Sequence, residues 1–292
     1  MADLQKRLHS LLDRLEPYLP PQNNETMWQA RAFRWRRRAG VLGAFGFLQP
    51  LTRLPKINMG DLLGIDAQKA QLMANTQQFL AARPANHVLL TGARGTGKSS
   101  LIKACLQQFS AQGLRLVELG RENLADMVDI MDILAERSER FILFCDDLSF
   151  ERDEPGYKVL KSILDGGLLA VPDNVLVYAT SNRRHLIPEY IEDNAHHQQT
   201  AAGEIHPGDA VEEKISLSER FGLWLSFYPP QQEEYLAIIH HWLQHFHCHV
   251  TAEQVRAPAL IWALEHGSRS GRVAWQFACD YAGKQATIHQ PN

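Results

Sequence analysis

An α/β fold built on a parallel sheet is what this sequence predicts, and three observations predict it. From Asp61 onward, short apolar runs alternate with helical stretches; a Gly-rich turn follows the first run; and two acids end the third. Strands buried on both faces read as near-continuous apolar runs, and the crossovers between parallel strands are usually helices.

The first strand is His87-Val88-Leu89-Leu90, followed by the Gly-rich turn and a helix over Lys98–Ser110. The second is Leu114-Arg115-Leu116-Val117, with a helix from about Glu122 to Ser138. Phe141-Ile142-Leu143-Phe144-Cys145 is the third, and a helix follows over roughly Pro155–Gly166. Val175–Ala179 and Leu223–Phe227 are the fourth and fifth. After Pro229-Pro230 the pattern turns wholly helical, with three helices expected near 231–247, 252–266 and 271–286.

The front of the chain reads differently. Leu8, Leu11, Leu12 and Leu15 recur at helical spacing until Pro20-Pro21 ends the run. A second helix is expected from near Asn24, carrying Trp28, Phe33 and Trp35 among Arg31, Arg34, Arg36, Arg37 and Arg38. Residues 1–60 hold 10 Lys/Arg against 4 Asp/Glu, whereas residues 61–292 hold 20 against 29, so the formal charge of −3 hides a basic front and an acidic body. Three units follow: a helical basic extension over 1–58, an α/β domain over 59–229 and a helical unit over 230–292.

Composition excludes several classes. With 45% apolar and 22% charged residues, the chain is neither disordered nor fibrous. The longest apolar stretch, Gly40–Leu51, is interrupted by Gly43, Gly46 and Pro50 and falls short of the ~20 residues of a membrane span. Met1–Arg7 has no apolar core of the signal-peptide kind. Cys105, Cys145, Cys248 and Cys279 form no CxxC pair and are expected as free thiols in a reducing cytoplasm.

Gly92-Ala93-Arg94-Gly95-Thr96-Gly97-Lys98-Ser99 fits the G-x-x-x-x-G-K-[ST] phosphate loop between a predicted strand and a predicted helix. Glycines let successive N–H groups curl around phosphate oxygens, and the helix N-terminus adds positive potential. Lys98 is assigned to the β- and γ-phosphates and Ser99 to Mg²⁺, with Ser100 completing the loop. Asp146, at the end of an apolar strand, is the second Mg²⁺ ligand, and Asp147 is placed to polarise the attacking water. A nucleotide phosphate chain and Mg²⁺ are therefore expected, although the loop alone does not distinguish a kinase, a switch GTPase and a motor.

With these motifs in hand, residues 59–285 resemble the AAA+ ATPases. Gly92–Ser99 is similar to Walker A, and Phe141–Asp147 to Walker B. Asp61-Leu62-Leu63-Gly64-Ile65-Asp66 is similar to the segment bordering adenine, which implies nucleotide contacts at Leu63 and Gly64. Asn182, in Ala179-Thr180-Ser181-Asn182, matches the sensor-1 position. Arg220, in Leu217–Gly222, matches the arginine finger that a subunit offers to its neighbour's ATP, which implies a homo-oligomer. Arg272 matches sensor 2 in the lid, with Arg269 competing for that role. The resemblance also implies five parallel strands ordered 5-1-4-3-2. More narrowly, CDDLSFE, ATSNRRHLIPE and EEKISLSERFGLWLSF resemble a bacterial family of predicted AAA+ ATPases with no assigned function.

One position departs from the pattern. Walker B commonly ends Asp-Glu, and here it ends Asp146-Asp147. The shorter side chain holds its base ~1.5 Å farther from a water positioned for Glu, a displacement that can cost ~10²-fold in rate. Glu151 is a candidate substitute. The resemblance implies an oligomeric ATPase that remodels or loads a macromolecular partner; the shortened acid makes an ATP-gated binding module with slow or partner-stimulated hydrolysis the alternative.

The remaining features leave alternatives open. Arg31–Arg38 suits a solvated helix face whose aromatics dock on the ATPase body, a contact with a neighbouring subunit, an unknown macromolecular client such as nucleic acid, or an acidic membrane surface. His241 and His245 stand at a Zn²⁺-capable i, i+4 spacing, but Trp242 and Phe246 mark an amphipathic helix, so a solvated or packed histidine face is expected. His185–Glu213 has no clear period and reads as a long loop.

Overall fold

The computed structural model describes residues 25–40, 43–150, 155–166, 171–183 and 217–288, together with Gln5, Arg7 and two short pairing segments, Gln198–Gln199 and Ile205–His206. Apart from Gln5 and Arg7, the expected helix over Leu4–Leu19 lies outside the described residues, as do most of the 185–213 loop and Glu151.

The sheet has seven strands: β1 (Ala32–Gly40), β2 (Gly43–Pro50), β3 (Val88–Gly92), β4 (Leu114–Leu119), β5 (Arg140–Cys145), β6 (Val175–Ser181) and β7 (Leu223–Phe227). Their spatial order is β2-β1-β4-β5-β6-β3-β7. Every neighbouring pair is parallel except β1–β2, which is antiparallel. The five strands expected from the sequence occupy the order 5-1-4-3-2, and β1 and β2 extend the sheet beyond β4.

This extension corrects the expectation of a helix over Arg31–Arg38. Only a 3₁₀ turn at Met27–Gln29 precedes β1. Phe33 and Trp35 are both buried, and alternation of that kind has period two. A helix would turn residues 33 and 35 about 200° apart and leave one aromatic in water. In the strand both face the same layer, and the Trp35 indole N–H donates to Asp126 at 2.8 Å. The basic front is thus sheet over residues 32–50 rather than wholly helical.

Helices cover both faces. On one side, Phe33, Trp35, Leu143 and Val177 pack against α3 (Met127–Ala135) and α4 (Pro155–Leu164) through Ile130, Leu134, Leu160 and Ile163. On the other, Leu90, Ile142 and Phe144 meet α1 (Asp66–Leu80) and α2 (Lys98–Phe109) through Leu72, Phe79, Leu101 and Cys105. All seven residues of β6 are buried, and each fully buried Val or Leu side chain contributes about 1.5–3 kcal/mol. That rigidity holds the strand ends where the polar residues begin.

Three further helices, α5 (Gln232–His245), α6 (Ala252–Glu265) and α7 (Gly271–Ile288), form their own core around Tyr235, Ile239, Leu243, Ala259 and Phe277. Leu63 packs on this core, while Leu62 and Ile65 belong to the sheet layer. The Asp61 carboxylate meets His241 Nε2 at 3.2 Å. Residues 61–65 therefore bridge the sheet and the helical tail.

Candidate active site

The Gly-rich loop joins β3 to α2 at the C-terminal end of the central strands, where ligands of open α/β sheets bind. Gly92, at φ +135°, lies so close to the Phe227 carbonyl that a side chain there would strike backbone. Gly95, at φ +76°, has its missing Cβ 2.8 Å from Ser270 Oγ and 3.3 Å from Arg272 Cβ. These glycines are what let β7 and the start of α7 close on the loop. Thr96 Oγ1 donates to the Ala93 carbonyl at 2.8 Å and tightens it.

Lys98, at the first turn of α2, is buried apart from 6% of its surface. Its ammonium donates to the carbonyls of Gly92 and Ala93 at 2.7 Å each and to Asn182 Oδ1 at 3.0 Å. Burial lowers its pKa from the ordinary lysine value, against the pull of Asp147 and Asp146. Ser99 Oγ donates to Asp146 Oδ1 at 2.6 Å. Ser100 follows on the same turn.

Thr180 is the residue that sequence reasoning missed. β5 and β6 pair Cys145 with Ala179, so the next residues, Asp146 and Thr180, emerge side by side. Thr180 Oγ1 donates to Asp146 Oδ1 at 2.6 Å and accepts from the Asp147 N–H at 2.9 Å. One buried hydroxyl thus sets both acids of the pair. The only sequence signal was a hydroxyl residue two before Asn182 at the end of an apolar strand.

Asp147 sits at φ +54°, a left-handed conformation that Asp tolerates better than most residues. Its carboxylate accepts from Asn182 Nδ2 and lies 4.0 Å from the Arg94 guanidinium. The structure therefore brings Lys98, Asn182, Asp147 and Arg94 into one polar chain, with Ser99, Asp146 and Thr180 in a second beside it. A hydroxyl and a carboxylate oxygen in contact are the hard oxygen donors that Mg²⁺ takes, so Ser99 and Asp146 fit the ion.

Arg272 reaches this site from the tail. Its N–H points to the Gly95 carbonyl at 3.4 Å, and its charge is felt at Lys98. Gly64 lies near Glu234 of α5, and Leu62 near Gly97, which places the 62–64 segment between loop and lid. Arg220 is not brought to this loop's polar chains. Its guanidinium donates to Asp165, just beyond α4. Among the described residues no group of His, Cys, Asp and Glu could hold a metal ion by itself, so the histidines around His241 form no such cluster. No helix among the described residues is long and apolar enough to cross a membrane.

Solved structures share this fold. A RuvB point mutant from Thermotoga maritima matches with a TM-score of 0.53 at 17% identity, covering 81% of this chain and 68% of its own. A second RuvB mutant from the same organism gives 0.51 at 14% identity, with 81% and 68% covered. The FIGL-1 AAA domain, solved in complex with ADP, gives 0.50 at 19% identity, with 80% and 75% covered. The chain spans just under two thirds of three further RuvB structures, at 64%, 66% and 64%. No curated protein matches the sequence. A family profile matches residues 28–285, a span that takes in β1, the phosphate loop, the acid pair and most of α7. The chain has the fold of the AAA+ ATPase superfamily and belongs to the family described as protein of unknown function DUF815.

Proposed function

We propose that this protein is an ATPase that hydrolyses ATP with Mg²⁺ in an oligomer and uses the cycle to remodel or load a macromolecular client. The convergence of Lys98, Ser99, Asp146, Asp147 and Asn182 at one end of the sheet carries the reading. Gly92–Ser100 cradles the phosphates, with Leu63 and Gly64 beside the base. Lys98 exchanges its loop carbonyls for phosphate oxygens. Asp147 accepts the proton of the attacking water, and Asn182, already bonded to that carboxylate, orients it. Ser99 and Asp146 hold Mg²⁺, which neutralises charge developing on the phosphates. Arg272 acts from the lid, and Arg220 acts in trans on a neighbour's nucleotide. Residues 59–229 then serve as motor and 230–292 as lid, while 1–58 faces the client through β1 and β2, which belong to the motor's own sheet.

The compartment we propose is the cytoplasm, a reducing environment in which the four cysteines stay free thiols as they are here. The test of the activity is Mg²⁺-dependent phosphate release that grows more than linearly with protein concentration. ATP binding unaffected by Lys98→Ala would overturn it.

A second reading rests on Asp147, whose carboxylate is engaged by Asn182 and faces Arg94. A base already held this way suits an ATP-gated assembly switch with slow or partner-stimulated hydrolysis. An Asp147→Asn variant that still assembles and binds its client normally favours the switch over the motor.

A further inference from the structure

The arginine run is sorted by the strand that carries it. Arg34 is held by Glu118 at 2.6 Å, and Arg37, on the opposite face, lies 3.5 Å from Asp126. Arg36 and Arg38 are exposed and make no ion pair among the described residues. Arg36 donates to Gln49 at 3.2 Å, and the Arg38 guanidinium lies 5.8 Å from the Phe47 ring centre.

The register of the hairpin places aromatic rings beside these two. Arg36 stands opposite Phe47 and Arg38 opposite Phe45. Offsets of two residues keep all four on one face. The other face carries Trp35 and Leu48, both buried in the core. Phe45 and Phe47 are half-buried, with ring centres 6.1 Å apart. Gly46, between them, leaves room for Trp35 beneath the strand. Residues 27–60 hold seven Lys/Arg and no Asp/Glu, so the local field is positive despite the acidic body.

The position matters as much as the composition. β1 runs parallel to β4, and its pairing stops at Arg34 opposite Glu118. The hairpin beyond Arg34 therefore rises past the C-terminal end of the sheet, the same end that carries the phosphate loop and the acid pair.

We propose that this face, Arg36, Arg38, Phe45 and Phe47, binds single-stranded nucleic acid. The two arginines, whose Cα atoms stand about 7 Å apart along the strand, offer guanidiniums to the phosphates, and the two rings take unstacked bases. A duplex offers the arginines its phosphates but keeps its bases from the rings, so the combination favours a single strand. The proposal names the client class of the ATPase proposed above and rests on that reading only for its coupling to hydrolysis.

The experiment measures binding of the full chain, by fluorescence anisotropy, to a labelled oligothymidylate of about 20 nucleotides, longer than a single ~4–16-nucleotide site. A duplex of the same length and vesicles containing phosphatidylserine run beside it. The single strand is expected to bind more tightly than the duplex, with affinity falling as salt rises. Arg36→Gln with Arg38→Gln should flatten the salt slope by about 1.4, at about 0.7 for each phosphate that is no longer neutralised. Phe45→Leu and Phe47→Leu should each weaken binding by about 5- to 150-fold, while Arg37→Gln on the opposite face changes it least. Retained binding of a fluorescent ATP analogue shows that the variants are folded. Lys98→Ala should lose the ATP analogue and keep the oligonucleotide, so failure of the ATPase reading and failure of this one are separable. No binding of the oligonucleotide, duplex bound as well as single strand, vesicles bound in its place, or Arg37→Gln as damaging as the double variant would each overturn the proposal.

Discussion

Thr180→Val is the substitution that most directly tests how the acid pair is held. Valine keeps the branched shape and suits a buried strand, so the change isolates the hydroxyl of a residue that is 1% exposed in the native protein. Two interactions vanish: the bond donated to Asp146 at 2.6 Å and the one accepted from the Asp147 N–H at 2.9 Å. A hydrogen bond to a charged group contributes about 1.5–3 kcal/mol, and an orphaned N–H costs about 1–3 kcal/mol. The Asp147 side chain is 57% exposed, so water can meet part of the need, and a total of about 2.5 kcal/mol follows from the low ends of those ranges. In a chain of this size that lowers Tm by roughly 5–10 °C. Differential scanning fluorimetry gives the first reading, and nucleotide binding titrated against Mg²⁺ gives the second. The variant should require more Mg²⁺ for the same affinity, because Asp146 is no longer steered toward Ser99, whereas Thr180→Ser should stay near wild type in that requirement. A Thr180→Val protein with unchanged Tm and unchanged Mg²⁺ requirement would refute the reasoning.

Other consequences are open to direct measurement. Gly95→Ala forces a side chain into φ +76° against Ser270 Oγ at 2.8 Å; the dihedral alone costs about 1–2 kcal/mol, so nucleotide affinity by calorimetry should fall about tenfold. His87 accepts the Val177 N–H, and burial lowers its pKa to about 4. The unfolded chain takes a proton on His87 near pH 6.5 and the folded chain only near 4, so stability is complete above 6.5 and drains away as pH falls toward 4. The full loss is about 3 kcal/mol, and His87→Gln should flatten that part of a Tm-against-pH curve. Asp147→Glu restores the missing methylene and should speed hydrolysis by up to ~10²-fold, at about 1–2 kcal/mol of stability because residue 147 is left-handed. An unchanged rate in a phosphate-release assay would show that reach at this position does not limit turnover.

Which parts of this molecule were legible in its sequence follows from how local the determinants are. The phosphate loop, Asp146 and the strand–helix alternation are written in contiguous spacing, and the chain folds them where that spacing implies. Thr180 was hidden because its role exists only once β5 and β6 lie side by side. The Arg220–Asp165 pairing joins residues 55 apart in sequence and has no local signature. The hairpin was misread for another reason. Phe33 and Trp35 carried a period of two throughout, but the arginines around them made the segment look like a charged helix. Long guanidinium stems that run out to water can sit on a strand as easily as on a helix, so charge density hid the alternation.

The join between Gly95 and the start of α7 has a mechanical consequence. The Gly95 carbonyl faces the Arg272 N–H, and Gly271 lies against the same oxygen. α7 runs 18 residues from that point, which is about 27 Å of rigid rod. The helix is therefore a lever whose fulcrum is the phosphate loop itself. A tilt of about 10° at the fulcrum would carry its far end about 5 Å. Small adjustments of one peptide in the loop are thereby amplified into displacements as large as a turn of helix at the other end of the tail.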